Sequence, residues 1–349
     1  MKVLQLIDSL EAGGAERVAV SLANALSREI DKSYLCATRK EGLLKSSLHE
    51  DVGYLFLSRK RTVDPSAVLR LRSFIKRNGI DVVHAHSTSF FLATQLKMVY
   101  PKFRLVWHTH YGNRVTTTRE QNKPLYYSSR YFESIVAVNE PLRDWCLKTL
   151  KTQNVHYLPN FVPAEKVVQG PISEREKQVI CVANLKEPKN HMNLLKAFKK
   201  VHVQFPDWKL LLVGKDFEDE YSTELNNYLD ANDLNPAVQK LGQRDDVATL
   251  LSTAAIGVLS SDHEGLPMAL LEYGAAGLAV ITTNVGQCAE VLNGNGRVVF
   301  TNDSDTLATA LIAYISDENM RKTKAESFRQ HISENYTTKA VIPKLLAMY

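Results

Sequence analysis

Short apolar runs alternate with amphipathic helical patterns along almost the whole chain. The series begins with the apolar run KVLQLIDSL at 2–10, the helical pattern AERVAVSLANALS at 15–27 and the apolar run SYLCATR at 33–39. Strands that are connected by helices pair in parallel, and the helices then cover both faces of the sheet. The alternation therefore predicts an α/β fold built on doubly wound parallel sheets.

The alternation breaks once and then begins again. The polar stretch GPISEREK at 170–177 has the composition of a linker, and QVICVANL at 178–185 is the next apolar run. A chain of 349 residues is also longer than one typical domain. We therefore expect two successive doubly wound domains, with the first covering 1–162 and the second covering 163–330.

The last segment, 331–349, has a helical apolar pattern and follows a long helix that is predicted from about residue 305. We expect this segment to pack back on the first domain. Doubly wound sheets bind ligands at the carboxyl ends of their strands. The cleft between two such domains is therefore the expected site.

The two predicted domains differ in charge. Residues 1–162 contain 24 Lys and Arg against 14 Asp and Glu, a net charge of +10, and residues 163–349 contain 19 against 24, a net charge of −5. A basic surface is typical of contact with anionic lipid or with a phosphorylated substrate, and an ordinary solvated helix face is the alternative. No nucleic-acid-reading motif is present, so a nucleic-acid partner is not expected. The basic excess includes Arg59, Lys60, Arg61, Arg70, Arg72, Lys76 and Arg77.

The sequence indicates a cytoplasmic protein. No apolar run approaches the roughly 18–20 residues that a membrane span needs. Acidic residues follow the first apolar run directly, so we interpret that run as a strand rather than as a signal peptide. Widely spaced cysteines indicate unpaired thiols, as in a reducing compartment. They are Cys36, Cys146, Cys181 and Cys288.

Two glutamates stand eight residues apart in the run EGLPMALLE at 264–272. Glu264 precedes the turn Gly265-Leu266-Pro267, and Glu272 lies inside the helical pattern that follows. Proline suits a first helical turn, and the N–H groups of a helix start attract anions. At a helical rise of about 1.5 Å per residue the two carboxylates are about 12 Å apart. This layout fits an elongated ligand with hydroxyl groups at both ends and a phosphate between them, such as a nucleotide sugar. The alternative is that the first glutamate caps the helix and the second lies at the surface.

In this context the EGLPMALLE motif resembles that of the group 1 (family 4) glycosyltransferases, which have the GT-B fold. The resemblance extends in order over almost the whole chain. Its other segments are GGAER at 13–17, DVVHAHS at 81–87, HTHYG at 108–112, PN at 159–160, a lysine at 189 and TTNVGQCAEVL at 282–292.

The resemblance implies two Rossmann-like domains of the GT-B fold that face each other across a cleft. It implies transfer of a sugar from a nucleoside diphosphate sugar with retention at the anomeric carbon, and without a metal ion or other cofactor. The implied acceptor is a growing glycan or a lipid-linked glycan of the bacterial cell-surface type, and a peripheral position on the inner face of the cell membrane would suit it. Without a metal, helix N-termini and cations must stabilise the negative charge on the departing diphosphate.

The resemblance also implies the site residues. Glu264 is expected to bind hydroxyl groups of the transferred sugar and is a candidate catalytic residue, while Glu272 and the turn between the two glutamates bind the donor. Lys189 matches the lysine that binds the donor phosphate; its alternative is a solvated lysine at a helix start. Gly13 and Gly14 are expected to bring backbone N–H groups to the donor phosphate or the acceptor. For a bare Gly-Gly pair, a tight turn between strand and helix is the alternative.

The chain departs from the family at Asn184, a predicted donor-binding position where arginine is usual. The departure removes a fixed cation beside the diphosphate. The candidates to replace that cation are Lys186, Arg17 and Arg244.

His110 matches the active-site histidine of the family and is expected to contact and orient the donor sugar. His108, two residues earlier on the same predicted strand, should face the same side. We interpret His84 and His86 as structural residues at a strand end, with His86 the better candidate for lining the cleft. Pairs of the form His-x-His also bind zinc, but no third ligand is evident in the sequence, so no metal site is expected. The acidic run DFEDE at 216–220 is predicted to be a solvated loop rather than a metal site.

Two other functions remain open at the level of the sequence. One is a nucleotide-sugar epimerase of GT-B fold, which would need no acceptor. The other is a non-enzymatic nucleotide-sugar-binding module, which the departure at Asn184 makes credible. A nicotinamide-dependent dehydrogenase is disfavoured, because GGAE after the first strand does not match the GxGxxG pattern.

Overall fold

A computed structural model describes residues 1–11, 13–168 and 175–349, with every side chain in these ranges except that of Asn113. Most of the predicted linker at 170–177 lies outside the described residues. The chain divides into two compact units, of which unit 1 comprises Met1–Pro163 and Thr338–Tyr349 and unit 2 comprises Ala164–Thr337.

Strands and helices alternate through both units, as the sequence pattern predicts. The strands are β1 Lys2–Ser9, β2 Lys32–Lys40, β3 Gly53–Phe56, β4 Val82–His86, β5 Arg104–Thr109, β6 Ser134–Ala137, β7 Val155–Tyr157, β8 Glu176–Val182, β9 Lys209–Val213, β10 Val238–Gly242, β11 Ala254–Leu259, β12 Ala279–Thr283 and β13 Arg297–Val299. The α-helices are α1 Gly14–Leu26, α2 Pro65–Asn78, α3 Phe90–Val99, α4 Lys123–Ser128, α5 Glu140–Thr149, α6 His191–Gln204, α7 Glu220–Ala231, α8 Val247–Thr253, α9 Met268–Ala276, α10 Cys288–Leu292, α11 Ser304–Ser316, α12 Glu318–Asn335 and α13 Thr338–Leu346. Short 3-10 helices lie at Leu43–Ser47, Ser87–Ser89, Gly112–Thr116, Ser129–Tyr131 and Ala164–Lys166.

The sheet of unit 1 has the strand order β3-β2-β1-β4-β5-β6-β7, and all of its strand pairs are parallel. The order reverses between β1 and β4, which are neighbours in the sheet although two strands separate them in the chain. Such a switch point leaves a crevice at the carboxyl ends of the two strands.

The two faces of the unit 1 sheet are covered by different apolar clusters. Leu4 and Leu6 of β1 belong to the cluster that also contains Trp107 of β5, whereas Ile7 belongs to the cluster that contains Ala19 of α1. Successive side chains of a strand point to opposite faces, so one apolar strand contributes to both clusters. This two-sided burial explains why the strands appear in the sequence as nearly continuous apolar runs.

Helix α2 illustrates how local sequence sets the ends of an element. Asp64 is the N-cap and accepts a hydrogen bond from the backbone N–H of Ala67, and Pro65 occupies the first helical position. Gly79 ends the helix in the left-handed conformation, at φ 64°. These are the preferred residues at each position, so the local sequence sets both ends of the helix.

The sheet of unit 2 has the strand order β10-β9-β8-β11-β12-β13, again with parallel pairs throughout. Its switch point lies between β8 and β11. Tyr273 of α9 spans these two strands, since its hydroxyl accepts a hydrogen bond from Val182 N at 2.7 Å and donates one to Val258 O at 3.3 Å. Gly257 of β11 makes room for the ring, because a Cβ there would lie 2.6 Å from it.

The C-terminal region differs from the prediction in two respects. The long helix expected from about residue 305 is two helices, α11 and α12, because Asp317 leaves the helical conformation and caps α12 by accepting from Met320 N. The boundary expected between residues 330 and 331 lies instead between Thr337 and Thr338, since α12 continues through 331 within unit 2. Helix α13 and the residues after it belong to unit 1.

Two findings concern the expected cellular setting. All four cysteines are buried and unpaired, as the sequence predicts. Within the described parts of the chain, none of the helices combines the length and the apolar character that crossing a membrane requires.

Candidate functional site

The loops that follow β8 and β11 bring together the two predicted donor-site residues of opposite charge. Lys189 Nζ lies 2.6 Å from Glu264 Oε1, and Ser261 Oγ donates a hydrogen bond of 2.7 Å to the same carboxylate oxygen. The Glu264 side chain is 9% exposed and that of Lys189 is 24% exposed. The structure therefore places a largely buried carboxylate and a partly accessible ammonium at the switch point of unit 2, where a doubly wound sheet binds its ligand.

Backbone contacts fix these two loops to each other. Ser260 Oγ donates to Lys189 O at 3.0 Å, and Asp262 N donates to Pro188 O at 2.8 Å. The peptide bond between Glu187 and Pro188 is cis. Because the β8 loop and the β11 loop share these bonds, the positions of the ammonium and the carboxylate are set by the backbone and not by the ion pair alone.

Asn190 starts helix α6 from a conformation that few side chains adopt. Its φ of 49° and ψ of 52° are left-handed, and its Oδ1 accepts from Asn193 N as the N-cap. Its Nδ2 donates to Asp262 Oδ1 at 2.9 Å and to Asn302 Oδ1 at 2.7 Å. Asparagine tolerates left-handed geometry better than most residues, so this position both ends the β8 loop and connects it to the β11 loop.

The predicted turn Gly265-Leu266-Pro267 leads directly into α9, but Pro267 lies just before the helix and not in its first turn. Pro267 is the N-cap, with extended backbone at φ −72° and ψ 129°, and Met268 is the first helical residue. Proline was expected inside the first turn; at the N-cap it still supplies no N–H group, so the first free donors are those of Met268 and the residues after it. Within this turn, Leu266 and Pro267 are buried.

Glu264 does not cap α9, because Pro267 occupies the N-cap and the Glu264 carboxylate contacts Lys189 and Ser261 among the described residues. The alternative interpretation of this residue from the sequence is thus wrong. The estimate of about 12 Å between the two glutamates assumed a helical rise over all eight residues, whereas only the part from Met268 to Glu272 is helical. Glu272 is half-buried on α9.

Gly286 packs closely against the backbone of the turn that carries Glu264. Its φ is 51°, and a Cβ at this position would lie 2.4 Å from the carbonyl oxygens of both Glu264 and Gly265. Gln287 N also donates to Gly265 O at 3.0 Å. The segment after β12 therefore holds the turn that carries the carboxylate.

Asn184, which stands where the family has arginine, makes a structural contact. Its Oδ1 accepts from Lys215 N at 3.0 Å, so the side chain joins the loop after β8 to the loop after β9. Of the candidate replacement cations, Lys186 is exposed, with its Nζ 5.6 Å from the centre of the Phe217 ring. Arg244 is bound bidentately by Asp246, at 2.7 and 2.6 Å. Arg17 lies on α1 in unit 1.

The acidic run at 216–220 leads into α7 and supplies the N-cap of that helix. Asp219 is the N-cap of this helix and accepts from Ser222 N. Asp216 accepts from Glu218 N at 3.0 Å and forms an ion pair with Lys240 at 3.5 Å. These contacts engage the carboxylates of Asp216 and Asp219 within the protein, in the loop before α7 and at the start of that helix.

In unit 1, Gly13 is the N-cap of α1 and Gly14 is its first residue. A Cβ on Gly13 would lie 2.3 Å from a carboxylate oxygen of Glu16, so this glycine allows the glutamate to fold back over the helix start. A Cβ on Gly14 would meet no atom of the described residues within 4 Å. Packing within this part of the structure thus explains the first glycine and leaves the second open to a ligand.

Four histidines, His84 and His86 of β4, His108 of β5 and His110 directly after β5, lie close together on one face of the sheet. His108 and His110 stack with ring centres 4.1 Å apart, as expected for residues two apart on a strand. His86 Nδ1 lies 2.9 Å from His110 Nε2, and His84 stacks on His86 with ring centres 4.8 Å apart. Burial lowers the pKa of His84 and of His110 to about 3, and lowers the pKa of His86 and His108 well below the ordinary value. The four rings are therefore neutral at pH 7.

The sequence shows no third ligand for zinc, but the structure brings three histidines together. One ligand atom each of His84, His86 and His108 lies within 4.8 Å of the other two. However, His86 has both ring nitrogens engaged, with Nε2 2.7 Å from Gln5 Oε1 and Nδ1 at His110. A zinc ligand needs one bare nitrogen for the metal, so the contacts of His86 fit a hydrogen-bonded cluster better than a metal centre.

The basic group predicted at 59–77 is only partly at the surface. Arg59 is 3% exposed, and its Nη2 lies 3.0 Å from Asp8 Oδ1. That arginine is a buried ion-pair partner and not part of a basic surface, which corrects the prediction. The other members are exposed in unit 1: Lys60, Arg61, Arg70, Arg72, Lys76 and Arg77.

Comparison with known protein families assigns both parts of the chain. Residues 12–166 match the family model for Glycosyltransferase Family 4, and residues 164–331 match the model for Glycosyl transferases group 1. The two matches follow each other in the order expected from the motifs. The chain belongs to the group 1 glycosyltransferases.

Curated relatives of this glycosyltransferase have low sequence identity to it but match most of its length. A phosphatidyl-myo-inositol mannosyltransferase of Mycolicibacterium smegmatis is 28% identical over 74% of this chain and 68% of its own length. A UDP-Gal:alpha-D-GlcNAc-diphosphoundecaprenol alpha-1,3-galactosyltransferase of Escherichia coli is 23% identical over 96% of this chain and 93% of its own. An N-acetyl-alpha-D-glucosaminyl L-malate synthase of Bacillus anthracis is 25% identical over 82% of this chain and 78% of its own length.

Solved structures confirm the fold of this glycosyltransferase. Anabaena HepE, crystallised with UDP and glucose, is 18% identical and covers 100% of both chains at a TM-score of 0.84. A sucrose-phosphate synthase from Thermosynechococcus elongatus covers 100% of this chain and 98% of its own, with 18% identity and a TM-score of 0.78. The predicted GT-B fold, with two Rossmann-like domains, is therefore confirmed.

Several residues at the sites of this glycosyltransferase were missed from the sequence. Ser261, Asn190 and Asp262 hold the two loops of unit 2, and Gln5 and Tyr349 contact the histidines of unit 1. The available signals were weak: small polar residues directly after apolar runs, and a glutamine within an otherwise apolar strand. Nothing in the sequence indicates that residue 349 lies beside residue 84.

Proposed function

We propose that this glycosyltransferase moves a sugar from a nucleoside diphosphate sugar to a hydroxyl group of a glycan or lipid-linked glycan, with retention at the anomeric carbon. The observation that carries the proposal is the pair of Lys189 and Glu264 at the carboxyl ends of β8 and β11, directly before the N-terminus of α9. The Lys189 ammonium, the Glu264 carboxylate and the free N–H groups of α9 are therefore all available at the carboxyl ends of these strands.

The relatives support this choice of donor and acceptor. The galactosyltransferase from Escherichia coli is named for a UDP-sugar donor and a diphosphoundecaprenol-linked acceptor, and HepE was crystallised with UDP and glucose. The mannosyltransferase from Mycolicibacterium smegmatis is named for a phosphatidylinositol acceptor. The names of the two transferases thus support a lipid-linked acceptor, and those of the galactosyltransferase and HepE support a nucleotide-sugar donor.

Each charged group has a separate role in the proposal. Lys189 and the N–H groups at the start of α9 bind the diphosphate, and Glu264 accepts hydrogen bonds from hydroxyl groups of the transferred sugar. Glu272 accepts hydrogen bonds from the ribose hydroxyls. Gly14, whose Cβ would meet nothing in the described structure, lets a ligand approach the start of α1. His110 contacts the transferred sugar and orients it.

Negative charge develops on the departing diphosphate during transfer. In a retaining reaction without a protein nucleophile, the acceptor enters on the same side as the departing diphosphate, so the protein must stabilise the charge on that side. In the proposal the leaving phosphate takes the proton of the acceptor hydroxyl as the new bond forms. Lys189 already neutralises Glu264 in the present contact of 2.6 Å. A bound diphosphate would share this ammonium, so the cation is placed beforehand where charge develops.

We also propose that the reaction needs no metal ion or other cofactor. The charges needed at the diphosphate come from Lys189 and from the dipole of α9, and the acidic run at 216–220 is engaged in capping α7. Asn184 lacks the positive charge that arginine usually supplies at this position in the family, and its side-chain oxygen accepts a hydrogen bond from a backbone N–H group. Lys186, which is exposed after β8, is the candidate that replaces it in donor binding.

We propose that the protein works in the cytoplasm at the inner face of an anionic membrane, where lipid-linked acceptors lie. The support is the exposed basic face of α2 and the net charge of +10 in the first 162 residues. Replacing Lys76 and Arg77 together by Gln should reduce flotation with phosphatidylglycerol vesicles at low salt, since each cation near such a surface is worth about 1 kcal/mol. The matched control replaces Lys196 and Lys199 on α6, which are exposed in unit 2. Equal flotation of the two variants would contradict the assignment to α2.

The test of the proposed function starts from the donor. A thermal-shift screen of UDP-, GDP- and ADP-sugars identifies the nucleotide that this chain binds. With that donor, Glu264→Gln should lower the transfer rate by about 10²-fold or more, because a preorganised group that stabilises the transition state is typically worth 10²–10³. Lys189→Ala should mainly weaken binding of the nucleoside diphosphate, by roughly 10-fold or more, which is the range for a charge-assisted hydrogen bond.

Two control variants separate site effects from general effects. Glu224 on α7 and Lys196 on α6 are exposed residues of unit 2, and Glu224→Gln and Lys196→Ala should leave both binding and transfer unchanged. The product anomer, read by proton NMR, reports retention. Wild-type turnover by Glu264→Gln, or an inverted product, would overturn the proposal.

A further inference from the structure

A row of polar side chains crosses the apolar sheet of unit 1. Gln5 of β1 pairs in register with His84 of β4, and His86 pairs with His108 of β5. Gln5, His84 and His86 are fully buried. Burial of so many polar atoms inside a sheet is costly unless they bind one another, so the pattern of their hydrogen bonds carries information.

The side chains form a continuous chain of contacts that ends at His110. Tyr349 Oη lies 2.6 Å from His84 Nδ1 and 3.3 Å from Gln5 Nε2. Gln5 Oε1 lies 2.7 Å from His86 Nε2, and His86 Nδ1 lies 2.9 Å from His110 Nε2. At the far end, His110 Nδ1 is a buried atom with no hydrogen-bond partner among the described residues.

Each ring in this chain has one N–H group and one bare nitrogen. The imidazoles are neutral, since burial lowers the pKa of both His84 and His110 to about 3. Burial also raises the pKa of the Tyr349 phenol, which therefore keeps its proton. A neutral imidazole donates from one nitrogen and accepts at the other, so fixing one nitrogen fixes the second.

Two directions of donation would satisfy these contacts, and the shortest distance selects one. Hydroxyl donors form shorter hydrogen bonds than N–H donors do, so the 2.6 Å contact is that of the Tyr349 hydroxyl donating to His84 Nδ1. The single phenol proton is then used, and Tyr349 can only accept from Gln5. The amide group of Gln5 must therefore turn its NH₂ to Tyr349 and its carbonyl to His86.

The remaining protons follow in sequence. The Gln5 carbonyl requires an N–H on His86 Nε2, so His86 Nδ1 is bare and accepts from His110. His110 then carries its proton on Nε2, and its free Nδ1 is a hydrogen-bond acceptor. The opposite direction would place the proton on His110 Nδ1 and make that atom a donor.

We propose that Tyr349 and Gln5 are positioning residues that set the tautomer of His110 through His86, so that His110 offers Nδ1 as an acceptor to a substrate hydroxyl group. That the hydroxyl belongs to the transferred sugar rests on the proposed function; the tautomer itself does not. Tyr349 follows helix α13, so a residue 239 positions after His110 in the sequence controls which partner that histidine can bind.

The test is the protonation state of His110 in the free protein. Two-bond proton–nitrogen NMR spectra of ¹⁵N-histidine-labelled protein distinguish a protonated ring nitrogen from a bare one, and His110→Gln assigns the signal by its loss. In the wild type, His110 should be protonated on Nε2 alone. A wild-type protein with the proton on Nδ1 would overturn the proposal without need of any further variant.

Removing the phenol proton donor tests the direction of control. Tyr349→Phe keeps the ring and frees the Gln5 amide to turn, so the His110 signals should move to positions averaged between the two tautomers. Tyr54→Phe is the matched control in unit 1, because the Tyr54 hydroxyl binds Glu41 and not the histidines. An unchanged His110 tautomer in Tyr349→Phe would overturn the role of Tyr349. Should that variant not fold, Gln5→Met interrupts the same chain and should give the same averaged signals.

These readouts need no donor or acceptor. Failure of the proposed function would appear in the donor screen and in Glu264→Gln, while the tautomer could still be as stated. The reverse outcome, a transferase whose His110 is protonated on Nδ1, would refute only the positioning role.

Discussion

Lowering the pH from 7 to 5 should destabilise unit 1, because its sheet buries histidines that are neutral in the folded state. His84, His86 and His108 are at most 2% exposed. Burial lowers the pKa of His84 to about 3 and the pKa of the other two well below the ordinary value. In the unfolded chain the same side chains regain an ordinary pKa of about 6.5.

The sign and size of the effect follow from proton linkage. Below pH 6.5 the unfolded chain binds more protons than the folded one, so stability is fully present above that pH and is lost as the pH falls towards 3. Between pH 7 and pH 5 each such histidine contributes a loss of about 2 kcal/mol in the free energy of unfolding. The three strand histidines give about 6 kcal/mol, which is comparable with the whole stability of many domains. His110, whose pKa burial also lowers to about 3, adds to this loss in the same direction.

The assay needs a reporter that is confined to unit 1. Trp107 and Trp145 lie in unit 1 and Trp208 lies in unit 2, so Trp208→Phe restricts tryptophan fluorescence to the unit of interest. Urea unfolding at pH 7 and at pH 5 then gives the difference in the free energy of unfolding.

His108→Leu sharpens this test. Both ring nitrogens of His108 are buried without hydrogen-bond partners among the described residues, so leucine removes a titrating group without breaking a hydrogen bond. The variant should be at least as stable as the wild type at pH 7, and its loss between pH 7 and pH 5 should be smaller by about 2 kcal/mol. His156→Gln changes a histidine on the half-exposed strand β7 and should keep the wild-type loss. A loss below about 1 kcal/mol in the wild type, or equal losses in wild type and His108→Leu, would refute the reasoning.

Three further predictions concern unit 2 and the thiols. Gly286→Ala should destabilise unit 2 by about 1–3 kcal/mol in urea unfolding followed by Trp208, because its left-handed backbone and the two carbonyls at 2.4 Å exclude a Cβ; unchanged stability would contradict the close approach to the Glu264 turn. Tyr273→Phe should cost about 1–2 kcal/mol, since Val182 N loses its buried acceptor; a cost near zero would mean that water replaces the hydroxyl. Ellman's reagent at pH 8 should label none of the four buried cysteines in the native protein and all four in guanidinium, because burial also raises the pKa of each thiol; rapid labelling of one thiol in the native state would show local opening.

The order of strands and helices could be predicted from the sequence where the apolar pattern is strong. The strands β1 and β2 and the helix α1 lie within one residue of the runs at 2–10, 33–39 and 15–27 that predict them. The strands β7, β10 and β13 were missed, because VHY at 155–157, VQKLG at 238–242 and RVV at 297–299 are short and only partly buried. The break between α11 and α12 was missed because Asp317 interrupts an otherwise continuous helical pattern, and a single aspartate inside such a pattern is a weak signal.

The candidate site shows the same limit. The sequence places Lys189 and Glu264 each after a strand, but their contact depends on the neighbouring positions of β8 and β11 in the sheet, which are separated by two other strands in the chain. Pro267 was predicted in the first turn of α9 but is its N-cap, because a proline fits both positions. The contact of Tyr349 with His84 spans 265 positions, and no local pattern encodes it.

The central claim is that the donor diphosphate is bound by Lys189 and the N-terminus of α9 while Glu264 binds the sugar. The most direct measurement is a crystal structure of the complex with the nucleotide sugar that gives the largest thermal shift. We expect phosphate oxygens within hydrogen-bond distance of Lys189 Nζ and of the first N–H groups of α9, and a sugar hydroxyl at the Glu264 carboxylate. A donor bound with its phosphates away from the ends of β8 and β11 would contradict it.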